Sequence, residues 1–386
     1  MLGGTNQMLR VAFVLNLSKN WLGGVNYYKN LLIAVTKYSN AITPVLFVQS
    51  DMDMSCLEGF PSVEIHRTCL LKRWHPMWLL SQVCKKIFHV DLLMTILLRY
   101  YKVEIVSHDG SGNKYPGLKL FSWIPDFQHR YLKDFFSSQE IKCRDCTYER
   151  LAINSDKVIL SSYAAKEDFD SFYPNYASKS VVLQFVPDLN LEINLNSDYV
   201  LEKYSLPQKF FFLPNQYWIH KNHKTVLRAL KRLKDSGVED IVVVSTGNTN
   251  DYRIGEYFDE IKEYIAQNDL SYNYRVLGLI PYRDVQALAY LSIAYINPSL
   301  FEGWSTVVEE AKYRGKRIIL SDLKVHIEQA PEKGYYFSPK NADELAGLMQ
   351  QVWNEDDGDM DVSTLQKTLQ DKQKKFAYTF EKICTM

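Results

Sequence analysis

From Pro298 to Lys316 the chain reads PSLFEGWSTVVEEAKYRGK, with three carboxylates, Glu302, Glu309 and Glu310, grouped around Ser305 and Thr306. The apolar run LSIAYINPS before it and the helical spacing of VVEEAKYRG after it predict strand, loop, helix. Thr306 followed three residues on by Glu309 is a capping-box pattern, which places the first helical turn at Thr306 with its free N–H groups open toward the loop. Such a terminus attracts an anion. Glu310 shares the helix face of Thr306 while Glu302 stays in the loop, so the two carboxylates bracket a potential phosphate site. On spacing alone the competing reading is three solvated glutamates, Glu309 serving only the cap.

Other residues point to the same chemistry. NWLGGVNYYKNLLIAV puts Gly23 and Gly24 just before a helix, where the missing side chains let backbone approach an anion. PNQYWIHKNHKTV supplies Lys221 beside His220, Asn222 and His223 where a strand gives way to a helix, and a cation there can neutralise a diphosphate leaving group. The competing readings are a tight turn and a solvated lysine. GSGNKYPGLK, from Gly110, satisfies neither the dinucleotide nor the P-loop signature, since Leu118 stands where the P-loop needs lysine and Lys119 where it needs a hydroxyl. DMD at Asp51 and DGDM at Asp357 read as acidic loops rather than an Asp-x-Asp at a strand end, and Cys143 with Cys146 lacks the second ligand pair of a zinc site. No metal is expected.

These residues need a scaffold, and 386 residues suffice for two or three domains. Forty-five basic against forty-five acidic residues argue against a general nucleic-acid binder, which draws its affinity from neutralising phosphates. No apolar run reaches the roughly 18 to 20 residues that span a bilayer, and the N-terminus lacks a signal-peptide pattern, so a cytoplasmic protein is expected. RVAFVLN, ITPVLFVQS, VEIVSH, LKLFSWI, KVILSS and SVVLQFV are strand candidates before Val186. FFFLPN, DIVVVSTG, YRVLGLI, IAYINPS and KRIILSD repeat that grammar after Phe210. The expected fold class is α/β, two Rossmann-like doubly wound domains facing a cleft, with ligands at the carboxyl ends of the strands. The expected divisions are a flexible extension over 1–8, an N-terminal domain over 9–190, a polar hinge over 191–209, a C-terminal domain over 210–362 and a final helix over 363–386. That helix carries a stripe of Leu365, Leu369, Phe376, Phe380 and Ile383, which must be buried. Residues 70–102 combine lysines and arginines with Trp74, Trp78 and many leucines. They read as a long helical excursion packed on the first sheet, with peripheral docking on a membrane surface as the functional alternative.

PSLFEGWSTVVEEA resembles the P-S-x-x-E-G-F-G-x-x-x-x-E-A signature of the GT-B glycosyltransferases of family four, which transfer sugars from nucleotide donors with retention at the anomeric carbon. The resemblance covers nearly the whole chain and is strongest from Phe210 to Leu345. It implies that Glu302 sits near the donor sugar, that Gly303, Trp304, Ser305 and Thr306 hold the diphosphate, and that Glu310 accepts hydrogen bonds from the ribose. Gly23 and Gly24 resemble the family's N-terminal glycine pair, Lys221 its phosphate lysine, and GLIPYRDV, from Gly278, its nucleobase loop. Where the family has arginine this chain has Gln216, so the diphosphate is held either by Lys221 alone or by Lys221 together with His220 or His223. WIPDFQHR resembles a family segment on the acceptor side, with Pro125 replacing its first histidine and Asp126 and His129 kept. The final helix of the family returns to the N-terminal domain. By this resemblance the chain is a metal-independent retaining glycosyltransferase without a cofactor, moving a hexose-type sugar from a nucleotide-diphosphate donor to a glycan or lipid-linked glycan. A nucleotide-sugar epimerase and a non-catalytic nucleotide-sugar-binding subunit are the alternatives.

Overall fold

The computed structural model describes residues 8–16, 22–191, 197–251, 255–355 and 361–386. The 1–8 extension, apart from Met8, and the DGDM segment lie outside the described residues. The chain divides into two compact units, one of Met1–Phe127, Ser138–Asp188 and Gln370–Met386, the other of Gln128–Ser137 and Leu189–Leu369.

The first unit holds strands β1 (Leu9–Leu15), β2 (Ile42–Gln49), β3 (Glu64–Thr68), β4 (Ile105–Asp109), β5 (Lys119–Ile124), β6 (Lys157–Leu160) and β7 (Ser180–Val182). They form one sheet in the order β3-β2-β1-β4-β5-β6-β7, each neighbouring pair parallel. The chain leaves β1 toward one edge and β4 toward the other, which makes the β1/β4 boundary a topological switch point. Central strands are apolar along their length because both faces are covered, so Val11, Ala12, Phe13, Val45, Phe47 and Val106 are all fully buried. The second unit repeats the plan with β8 (Phe211–Leu213), β9 (Val243–Thr246), β10 (Tyr274–Gly278), β11 (Ala294–Asn297), β12 (Arg317–Ser321) and β13 (Gly334–Phe337), in the order β10-β9-β8-β11-β12-β13. Its switch point lies between β8 and β11. The helix His223–Asp235 packs on this sheet through buried Val226, Leu227, Leu230 and Leu233.

Several expectations need correction. β3 and β13 were not anticipated, because EIHRT is largely polar and GYYF is short and opens on glycine; both are edge strands, which need no continuous apolar run. The segment 191–209, expected as a hinge, contains a helix, Ser197–Tyr204, whose Lys203 Nζ and Tyr204 hydroxyl both donate to Asp284 Oδ2 at 2.6 Å. Residues 70–102 form two helices, Pro76–Phe88 and Leu92–Tyr100, the first closed by His89 at φ 56. Gly23 and Gly24 lie inside the first turn of the helix Leu22–Tyr38, not ahead of it. Among the described residues no helix is long and apolar enough to cross a membrane.

The C-terminal helix, Val362–Thr385, groups with the second unit up to Leu369 and with the first from Gln370 onward. Its stripe is buried at Leu369, Phe376, Phe380 and Ile383. The Phe380 ring lies 6.0 Å from that of Phe13, and the Ser39 hydroxyl donates to Glu381 Oε2 at 2.6 Å. A segment with such contacts is part of the first unit's core. Phe380→Ala should therefore lower that unit's unfolding free energy by about 3–5 kcal/mol in a denaturant titration. A loss below about 1 kcal/mol would mean that the helix only rests on the surface.

Candidate active site at the ends of β8 and β11

The loops that follow β8 and β11 meet at the second unit's switch point. Leu300 N–H donates to His220 C=O at 2.8 Å, and Lys221 Nζ stands 2.6 Å from Glu302 Oε1. Asn222 adopts the left-handed conformation, φ 59, which asparagine tolerates better than most residues. Its amide donates to Pro298 C=O at 2.9 Å and to Pro339 C=O at 2.7 Å, so one side chain ties three loops together. The side chains of Lys221 and Glu302 are only 16% and 9% exposed, which removes the reading of Glu302 as a solvated loop acid.

The helix after β11, Thr306–Tyr313, is capped by Ser305 rather than by the expected Thr306–Glu309 box. Ser305 Oγ accepts from Val308 N–H at 3.5 Å and from Asn297 Nδ2 at 2.8 Å. Gln329 clamps the same residue on both sides, its Oε1 accepting from Ser305 N–H at 3.2 Å and its Nε2 donating to Ser305 C=O at 2.9 Å. That Nε2 also donates to Glu309 Oε1 at 2.9 Å. Glu309, 1% exposed, is thus an internal brace rather than a solvated cap acid. Ser299 Oγ lies 2.7 Å from Glu302 Oε1 and 2.8 Å from Asn297 Oδ1, its one proton serving either acceptor. Glu310 is half-buried, and burial raises its carboxyl pKa while the Arg314 cation partly offsets that. Gly303, Trp304 and Thr306 are also half-buried.

Two glycines bring further backbone to this edge. Gly278 ends β10 at φ 66 after a register shift, and its C=O accepts from Gly247 N–H at 2.9 Å. Gly247 has φ 142, and a Cβ there would lie 2.6 Å from Asn215 O and 2.8 Å from the Cα of Gln216. Only glycine lets β9 close on the Gln216 loop. The sequence reading missed Gly247, although a glycine ending VVVSTG was a visible signal.

Of the two histidines that could stand in for the missing arginine, His223 does not supply a cation. His223 is fully buried and stacked on Tyr217 at 4.1 Å; its Nε2 donates to Gln216 C=O at 3.1 Å and its Nδ1 accepts from the Tyr274 hydroxyl at 2.7 Å. Burial pushes its pKa down to about 4, so the ring is neutral at pH 7. His220 is buried as well. His129 is fully buried in the short helix Gln128–Tyr131, and the segment Gln128–Ser137 groups with the second unit, where the Tyr131 ring stacks 5.4 Å from Phe301. Half-buried Asp126 groups with the first unit, so the two expected partners fall in different units.

In the first unit a Cβ on Gly23 would meet open space, and the polar residues at the switch point are His108 and Asp109, which the sequence reading passed over. His108 sits at φ 57 where the β4/β5 register shifts, its Nε2 2.8 Å from the Tyr27 hydroxyl and its Nδ1 2.8 Å from Ser107 Oγ. Burial lowers its pKa to about 3, and burial raises that of Asp109, whose carboxylate accepts from Gly112 N–H at 2.6 Å. Two polar residues ending the apolar run VEIVSHD were the available signal. Among the described residues no group of three His, Cys, Asp or Glu side chains is placed to hold a metal.

Two parallel-sheet units of this kind make the GT-B glycosyltransferase fold. Solved structures agree with that assignment over nearly the whole chain. Anabaena Alr3699/HepE in complex with UDP-glucose superposes with TM-score 0.67 at 15% identity, covering 98% of each chain. A glycosyltransferase from Rickettsia africae gives 0.61 at 17%, covering 96% of this chain and 94% of that one. The sucrose-phosphate synthase of Thermosynechococcus elongatus gives 0.63 at 13%, covering 98% and 96%. Residues 202–373 match the family model described as Glycosyl transferases group 1, which supports that family and glycosyl transfer as the activity. No curated protein matches the chain.

The neutral buried histidine has a consequence for acid stability. Below pH 6.5 the unfolded chain protonates His223, while the folded chain refuses the proton down to about pH 4. The unfolded state then binds more protons, so stability falls as the pH falls, by up to about 3 kcal/mol from this residue. His223→Gln should flatten the unfolding free energy between pH 6.5 and 4 relative to the parent chain. An unchanged slope would show that His223 is protonated in the fold.

Proposed function

We propose that the chain moves a hexose-type sugar from a nucleotide-diphosphate donor to a glycan or lipid-linked glycan acceptor, with retention at the anomeric carbon and without a metal ion. The observation that carries this reading is the shielded Lys221–Glu302 pair, with Glu302 in the loop that leads into the Thr306 helix and Glu310 in that helix. A shielded cation beside free helix N–H groups suits the charge that develops as a diphosphate departs, because both are worth more in a site that excludes water. The solved structure of the Anabaena protein with UDP-glucose supports a nucleotide-sugar donor in this fold.

In this reading the diphosphate lies against Ser305 and Thr306, with Gly303 and Trp304 in the approach, Glu302 faces the donor sugar and Glu310 accepts from the ribose. Gln216 and Gly278 line the nucleotide side. The bond from the anomeric carbon to the phosphate oxygen breaks, and a bond to the acceptor oxygen forms on the same face. The acceptor's proton goes to the departing phosphate. Asp126 is proposed on the acceptor side. His129, with no exposed surface, is assigned a positioning role there rather than a proton transfer.

Because Lys221 and Glu302 are paired away from water, truncating the lysine has two effects. It removes the cation and also leaves a carboxylate without its partner, so folding stability falls as well. Lys221→Met should lower kcat by about 10²- to 10³-fold, read as nucleoside diphosphate released from UDP-, GDP- and dTDP-hexoses with oligosaccharide acceptors. The product should keep the donor's anomeric configuration by NMR, and chelator should leave the rate unchanged. An inverted product, chelator-sensitive turnover, or an isomerised nucleotide sugar without transfer would each overturn the corresponding part of the reading.

A further inference from the structure

The helix Pro76–Phe88 is built inside out. The residue it buries is a serine, Ser81, whose hydroxyl donates to Asp91 Oδ1 at 3.3 Å. Lys85 of the same helix pairs with Asp91 at 2.7 Å, and Asp91 caps the next helix by accepting from Met94 N–H at 3.2 Å. Polar contacts therefore hold the inner side. Leu80, Val83, Ile87 and Phe88 are 49–63% exposed, and Trp74, just ahead of the helix, is 69% exposed. Leu80, Val83 and Ile87 fall three and four residues apart on one stripe. A helix on a water-facing surface carries the opposite pattern, and a contiguous apolar stripe of this kind marks an interaction site.

The surrounding charge selects the occupant. Residues 70–102 carry Lys72, Arg73, Lys85, Lys86, Arg99 and Lys102 against one acid, Asp91, in a chain whose net charge is zero. That acid is buried and paired with Lys85, Lys72 pairs with Asp51 and Arg99 donates to Pro116 C=O, which leaves Arg73, Lys86 and Lys102 as the exposed cations of this segment. We propose that this face docks on an anionic lipid bilayer surface, with Trp74, Leu80, Val83 and Ile87 entering the interface while the cations meet lipid phosphates. Tryptophan suits that depth because one end of its ring system is apolar and the other can stay wet. A second copy of the chain would set the cationic patch against itself in a two-fold dimer, and like charges oppose that arrangement.

Cosedimentation of the full chain with vesicles tests this. It should bind phosphatidylglycerol–phosphatidylcholine vesicles, bind phosphatidylcholine alone far less, and be released at 1 M salt, where the screening length falls from about 10 Å to about 3 Å. Leu80→Glu combined with Ile87→Glu should reduce partitioning about tenfold or more with an unchanged melting temperature. Arg73→Glu with Lys86→Glu should do the same without altering the apolar stripe. Tyr272→Glu, an exposed aromatic of the second unit, should partition like the parent chain. Equal partitioning of parent and variants would overturn the proposal, as would a chain that ignores vesicles but self-associates until Leu80 and Ile87 are replaced.

Discussion

Where a parallel sheet ends, strands must give way to loops without stranding buried polar groups, and that requirement shapes the second unit. Asn297, at the end of β11, takes a hydrogen bond from Asn215 Nδ2 at 3.2 Å and gives one to Ser305 Oγ at 2.8 Å. Ser321, at the end of β12, donates to Ser299 C=O at 2.6 Å. His326 Nδ1 donates to Ser321 C=O at 2.8 Å, which leaves Nε2 to accept from Asn297, and burial lowers its pKa so that the ring stays neutral. Each of these groups would cost about 1–3 kcal/mol if buried unpaired, so the loops have little freedom to rearrange. The position of the Thr306 helix terminus, and with it the proposed phosphate site, follows from this network.

Three glutamates close in sequence end in three environments. Glu302 is shielded and paired with Lys221; Glu309 is enclosed and braced by Gln329; Glu310 is half-buried, its pKa raised by burial beside Arg314. A buried ion pair is poor evidence for stability, since desolvation offsets most of its attraction. In the proposed function Lys221–Glu302 is a pair of charges kept dry for a ligand rather than a folding device. The neutral His223 and the absent arginine concentrate the positive charge of this loop on Lys221.

Among the described residues, the repeat of apolar β-branched runs made eleven of thirteen strands legible, the central ones because they are buried on both faces. The edge strands β3 and β13 were not legible, since half-exposed strands carry no such run. The amphipathic stripe of the last helix was readable, and it is buried from Leu369 onward. At the site, residue types were legible while the register was not. A capping box and a Ser305 cap differ by one residue, and the choice was made by Gln329, which is distant in sequence and reaches Ser305 only in the fold. His108 and Asp109 showed in the sequence only as two polar residues ending an apolar run; the bend to φ 57 that places His108 at the switch point is a property of the fold.

The central claim, a diphosphate site at the Thr306 helix terminus, is tested most directly by titration calorimetry with matched nucleosides and nucleoside diphosphates of uridine, guanosine and thymidine. For the base that binds, Lys221→Met should lose about 1–3 kcal/mol of affinity for the diphosphate and keep its affinity for the nucleoside, whereas Glu310→Gln should weaken both. Equal losses for nucleoside and diphosphate in Lys221→Met, or unchanged binding of both ligands in both variants, would contradict the account.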